Sequence, residues 1–190
     1  MSDLDRQANI VGALALIVDD RVSDAIAEAV GDSLSHTAAA ALSALDQFLE
    51  RPTIDLLRQV IGLTPSGTVR LIDRLEETGY VTRQPGPDAR SRTVTLTRAG
   101  RRAATKVTAA RASVLRSALE RLSPAERAAY EELTGRVLGA FVRQSGATKW
   151  GCRLCDVHAC EREQGNCPVM KEIARRDEAQ QLSSSGGNAS

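Results

Sequence analysis

The chain has 190 residues, 42% hydrophobic but only 3% aromatic, with 25 basic side chains, 24 acidic ones and four cysteines. That length suits one domain with appendages and a core of Ala, Leu, Val and Ile, and four cysteines confined to Cys152–Cys167 exclude a disulfide scaffold. The acidic start (Met1-Ser2-Asp3-Leu4-Asp5-Arg6) is no secretory leader, and the apolar run from Ile10 to Val18 falls short of the ~20 residues of a bilayer span, so no membrane and a reducing cytoplasm are expected.

The net charge of +1 hides a segregation. Residues 1–50 carry nine acids and two arginines, residues 51–102 ten arginines and five acids, and residues 103–151 eight basic and four acidic groups. Every cation of the central block is Arg, whose planar fork suits phosphates and guanine edges.

In chain order, the first predicted helix covers Asn9 to Val30. Leu14, Ile17, Val18, Val22, Ala25, Ile26 and Ala29 recur at three- and four-residue steps, which is one helical face suited to a helix–helix interface. A second helix runs from His36 to Leu49, with Leu42, Leu45, Phe48 and Leu49 inward, and Arg51-Pro52 closes it because the residue before proline avoids the helical region. Thr53 then caps a short helix with Ile54, Leu57, Val60 and Ile61 inward. After the tight turn at Gly62, Thr64 caps a further helix with Pro65 at its first position, ending at Thr78-Gly79. Two short helices joined by a glycine-containing turn form a helix-turn-helix.

Beyond Gly79 the period changes to two. Tyr80–Arg83 and Thr93–Leu96 read as strands joined through Gln84-Pro85-Gly86-Pro87-Asp88, a hairpin. Thr97 caps a long helix to Leu122, and Ser123-Pro124-Ala125-Glu126 is a capping box for the next. That helix carries the apolar stripe Tyr130, Leu133, Thr134, Val137, Leu138, Phe141 and Val142, and Gly146 stops it. A cysteine segment follows, then a charged helix over Val169–Gln181 and a low-complexity tail from Ser183 to Ser190, read as disordered.

The expected fold is mainly α with a small β-hairpin wing, a winged helix-turn-helix between helical dimerisation regions. Residues 1–50 form the N-terminal dimerisation and support helices, 51–102 the winged helix-turn-helix, and 103–148 the C-terminal dimerisation helices. Residues 149–182 hold the cysteine-rich segment and terminal helix, and 183–190 the tail. If Val69, Ile72 and Leu75 face the core, Ser66, Thr68, Arg70 and Arg74 remain near the exposed side. Small hydroxyls at a helix start allow close approach to phosphate, and Arg70 lies one turn from Arg74, so both reach one major groove. At the hairpin tip Arg90 and Arg92 flank Ser91, placed for a narrow minor groove. The alternatives are local ion pairs, Arg74 with Glu77 or Asp73 and Arg90 with Asp88.

The run Leu63-Thr64-Pro65-Ser66-Gly67-Thr68-Val69-Arg70-Leu71-Ile72-Asp73-Arg74-Leu75-Glu76, followed by Gly79-Tyr80-Val81, Asp88-Ala89-Arg90 and Leu96-Thr97-Arg98-Ala99-Gly100, resembles a MarR-type winged helix. The similarity covers about residues 5–145 in the family's order of elements. It implies a homodimer built from the N- and C-terminal helices, bound to a pseudo-palindromic double-stranded DNA operator. It further implies that Asp88 braces the wing arginines while Arg90 enters the minor groove. The chain departs from the family in having no Lys on the recognition helix and about 45 residues after the last family helix.

Those extra residues hold Cys152, Cys155, Cys160 and Cys167-Pro168, the spacing C-x2-C-x4-C-x6-C-P. Four thiols within sixteen residues can reach one centre unaided, so a metal site is expected. Zinc favours tetrahedral thiolate sites built from two CxxC pairs, and only one such pair occurs here. Iron–sulfur clusters, [2Fe-2S] or [4Fe-4S], take compact uneven runs ending in Cys-Pro. The segment is also similar to the cluster loop of MerR-type redox sensors. Iron–sulfur is the preferred reading and zinc the alternative, ahead of a metal-free thiol switch or inert cysteines; His158 could replace one thiolate but is read as a solvated loop residue.

The function expected is a DNA-binding repressor that senses redox state or cluster availability. One alternative keeps a structural zinc and adds a small-molecule effector. Another, from a different class, is an iron–sulfur electron carrier or enzyme on a helical scaffold. Enzymatic activity is disfavoured, because the two histidines, His36 and His158, form no visible constellation with a nucleophile, and no phosphate-binding or dinucleotide glycine fingerprint occurs.

Overall fold

The computed structural model describes residues 2–31, 34–88, 91–141 and 151–185. Helix α1, Asp3–Val30, begins six residues earlier than the apolar periodicity suggests. The cause is local: the Ser2 hydroxyl accepts from the Asp5 amide while the Asp5 carboxylate accepts from the Ser2 amide, a reciprocal cap that satisfies two orphan donors. Helix α2, His36–Gln47, is buried at every position from Ala38 to Leu45. Its alanines present no bulk on any side, so α1, α3, α5 and the wing close around it. His36 Nδ1 lies 2.9 Å from Ser23 Oγ and links α2 to α1.

Helices α3, Ile54–Ile61, and α4, Pro65–Glu77, are capped as expected by Thr53 and Thr64, with Gly62 left-handed (φ 71°) at the turn. Strands β1, Val81–Pro85, and β2, Arg92–Leu96, pair antiparallel with Val81 opposite Leu96 and Pro85 opposite Arg92, each reaching further toward the tip than the sequence pattern alone. The Val94 amide donates to the Pro52 carbonyl at 3.0 Å, which joins the wing to the start of the helix-turn-helix. Helix α5, Arg98–Leu119, starts at Thr97, whose hydroxyl also donates to the Gly79 carbonyl at 2.6 Å. A side chain at Gly100 would collide with the Tyr80 carbonyl, so this close passage of α5 over the strand entry requires glycine.

Helix α6, Pro124–Phe141, opens on the expected Ser123–Glu126 box. The last helix, α7, Pro168–Ser185, runs past Gln181 into the serines read as disordered tail. It seats on α6 where Gly135 and Gly139 leave room for Pro168 and Glu172. Val142, the stop at Gly146 and residues 186–190 lie outside the described residues.

One core spans α1 to α5 and the wing, with Ile26, Leu42, Leu57, Ile72, Leu75, Val81, Val94 and Val107 among its buried side chains. Two apolar faces lie outside it. Leu4, Ile10, Val11, Leu14, Leu16 and Ile17 of α1 are exposed, as are Tyr130, Leu133, Val137, Leu138 and Phe141 of α6. Among the described residues no helix is long and apolar enough to cross a membrane.

Candidate nucleic-acid interface and cysteine cluster

The second helix of the helix-turn-helix, α4, shows one side to solvent. Thr64 Oγ1 accepts from the Gly67 amide at 3.1 Å, and the first turn, Pro65-Ser66-Gly67, carries no long side chain. Ser66, Arg70 and Arg74 are exposed where the sequence places them. Thr68 is not. It is fully buried, and its hydroxyl donates to the Thr64 carbonyl at 3.0 Å. Val69, expected in the core, is 45% exposed. The inward face is Thr68-Ile72-Leu75 rather than Val69-Ile72-Leu75, a rotation about the helix axis that both i, i+3 and i, i+4 spacings permit.

Arg83 of β1, not singled out from the sequence, fixes that rotation. Its guanidinium bonds Asp73 through one nitrogen and Glu76 through another at 2.6 Å, and its amide donates to Glu76 at 3.0 Å. Wing and α4 are thereby clamped, and the charge of the two carboxylates beside the basic face is halved. Among the described residues Arg70 and Arg74 form no ion pair, and Asp73, the suggested partner of Arg74, is occupied by Arg83. The signal available in sequence was weak: two acids three residues apart and an arginine on a strand. Arg83→Ala should lower stability by about 0.5–1 kcal/mol, the range for a half-exposed ion-pair network. Thermal melting checks this, and an unchanged midpoint would show that the clamp is idle.

At the wing, Arg92 opens β2 and is exposed. Asp88 Oδ1 accepts from the Ser91 amide at 2.6 Å, and the Gly86 amide donates to the Ser91 carbonyl at 3.0 Å. These bonds close the wing loop around Asp88. Arg90 lies outside the described residues.

The cysteine segment folds back onto the molecule. Cys152 and Cys167 are buried and Cys155 and Cys160 half-buried, together with Val169, Met170, Ile173 and Phe48. The thiols shift one another's titration, Cys152 most strongly with Cys155, and Cys160 with Cys167. The neighbouring Cys152 thiol, assisted by the Arg111 and Arg162 charges, holds Cys155 at about 6 against the effect of burial. The neighbouring Cys155, together with burial, pushes Cys152 up, and burial with the neighbouring Cys167 raises Cys160 to about 12. Among the described residues no group of three or more His, Cys, Asp and Glu side chains is arranged so that it could hold a metal ion. His158 is exposed, as a solvated loop residue should be.

Three contacts join this segment to the end of α2. The Val157 amide donates to Gln47 Oε1 at 3.0 Å, the Arg162 guanidinium lies 5.5 Å from the Phe48 ring centroid, and Phe48 itself packs against both the main core and the cysteine group. None of these was legible in the sequence, since Gln47 and Val157 are 110 residues apart.

Comparison with known proteins agrees with this arrangement. Residues 32–91 match the model of the MarR family. Among solved structures, RV1404 from Mycobacterium tuberculosis is 22% identical with a TM-score of 0.66, covering 75% of this chain and 97% of that one. Sco3205 from Streptomyces coelicolor, a MarR family transcriptional regulator solved in complex with DNA, is 20% identical with a TM-score of 0.60, covering 75% and 94%. A probable transcriptional regulator from Pseudomonas aeruginosa is 26% identical with a TM-score of 0.52, covering 67% and 96%. No curated protein matches the chain significantly in sequence. The fold is that of a MarR-type winged helix.

Proposed function

We infer that this chain, with its MarR-type winged helix, is a DNA-binding transcription regulator that acts as a homodimer and a repressor, and that its four cysteines hold an iron–sulfur cluster whose state is sensed. The observation that carries the DNA-binding reading is the exposed α4 face, where Ser66, Arg70 and Arg74 stand clear while Arg83 engages the adjacent carboxylates and offsets part of their charge. Phosphate neutralisation releases counterions, so the affinity of wild-type protein for its operator should fall steeply with salt. Affinity indifferent to salt and to DNA sequence would reject the reading. The matched family and the neighbouring structures speak for regulation rather than for an electron carrier or enzyme.

Dimerisation is supported by the exposed apolar faces of α1 and α6, since clustered apolar surface of this kind marks interaction sites. Sedimentation at micromolar concentration should give a dimer. A monomer there would remove the two-fold match to a palindromic operator.

For the cofactor, the residues fit. Four cysteines, buried or half-buried in one group, supply the soft sulfur donors that iron–sulfur clusters and zinc take, and the uneven spacing ending in Cys-Pro favours the cluster. Arg111 and Arg162 are placed to offset thiolate charge. A bound cluster would supply one-electron redox chemistry and ligation that oxidants can break. The chain supplies the relay: Gln47 and Phe48 end α2, six residues before α3 begins, and α7 grows directly from Cys167 onto α6. A change at the cysteines therefore bears on both the helix-turn-helix and a dimerisation helix.

A further inference from the structure

Helix α4 carries an inversion of polarity. At position 68 a threonine is fully buried, while at position 69 a valine is 45% exposed. The two side chains are nearly isosteric, and burial favours the one without a hydroxyl. Folding alone would favour the opposite order. The buried hydroxyl is satisfied by the Thr64 carbonyl, so the inversion is tolerated, but nothing in the core requires an outward valine.

What surrounds Val69 suggests its use. Ser66 stands one turn before it and Arg70 next to it, both exposed, and the small first turn of α4 lets the backbone sit deep in a groove. Arg70 and Arg74 offer donors, which suit the acceptors of guanine and the phosphates. Val69 offers only methyl groups. The one apolar feature on a base-pair edge in the major groove is the C5-methyl of thymine. We propose that Val69 reads a thymine methyl in each half-site, beside the base contacted by Arg70. This rests on the DNA-binding reading above and names part of the sequence that reading leaves open.

The test uses full-length protein and a duplex selected by it from a random pool. Each thymine of that duplex is replaced in turn by deoxyuridine, which deletes the methyl and keeps every hydrogen-bonding group. One symmetric pair of positions should weaken wild-type binding by about fourfold per half-site, the factor carried by burial of one methyl-sized group. Val69→Ser, of similar helix propensity at an exposed site, should bind thymine and deoxyuridine duplexes equally, whereas Val69→Ile should retain the discrimination. Circular dichroism melting of both variants checks that they fold as wild type does. Sequence-specific binding by wild type that is insensitive to every deoxyuridine, or equal discrimination by Val69→Ser, overturns the assignment of Val69 alone. Failure of wild type to select any sequence overturns it together with the DNA-binding reading.

Discussion

Arg70→Ala and Arg74→Ala should each weaken operator binding by about 1–3 kcal/mol per half-site, the range for losing a base contact, so a symmetric dimer loses up to twice that. Both side chains stand on the outward face of α4, one helical turn apart, and among the described residues neither is held by a carboxylate. Their removal therefore costs little folding energy and acts on binding directly. A competition titration at physiological salt, against specific and random duplexes, separates the two ways this can happen. A base-reading arginine reduces the specificity ratio, whereas a phosphate-binding arginine lowers affinity for all sequences and flattens the salt dependence. Unchanged operator affinity for both variants would mean that another surface meets the DNA.

A second large effect is expected at the cysteines. The fourfold variant Cys152→Ser, Cys155→Ser, Cys160→Ser and Cys167→Ser should bind the operator about 5–150-fold more weakly than protein purified anaerobically with its cofactor, the usual span of an allosteric coupling. The reasoning is geometric. The segment leans on Gln47 and Phe48 at the end of α2, and α7 leans on Gly135 and Gly139 of α6. Recognition helices in a dimer must meet half-sites roughly 34 Å apart, so a small displacement at either support alters the fit. A coupling requires that the two ligation states prefer different arrangements of these helices. Equal affinities for anaerobic, oxidised and substituted protein, with a colourless zinc-loaded sample, would leave a structural zinc and a DNA-binding protein that ignores oxidants. Visible absorption and metal analysis of the same preparations distinguish these outcomes.

What the sequence determined by itself was local. Caps at Thr53, Thr64-Pro65, Thr97 and Ser123–Glu126 are written in residues three or four apart, so the starts of four helices were legible. The same kind of signal at Ser2 and Asp5 precedes the apolar period and was masked by it. The change of period after Gly79 marked the hairpin, and the cysteine spacing marked a candidate ligand set, because both depend on neighbours in the chain. Tertiary packing decided the rest. The side of α4 that faces inward is set by the Arg83 clamp and by docking on α3 and β1, and periodicity alone fits either Thr68 or Val69. The central place of α2 follows from what closes around its alanines. The seat of the cysteine segment on Gln47 and Phe48 joins residues some hundred positions apart, and no local pattern encodes which surfaces meet across that distance, since their pairing depends on shape and burial formed only once the core has assembled.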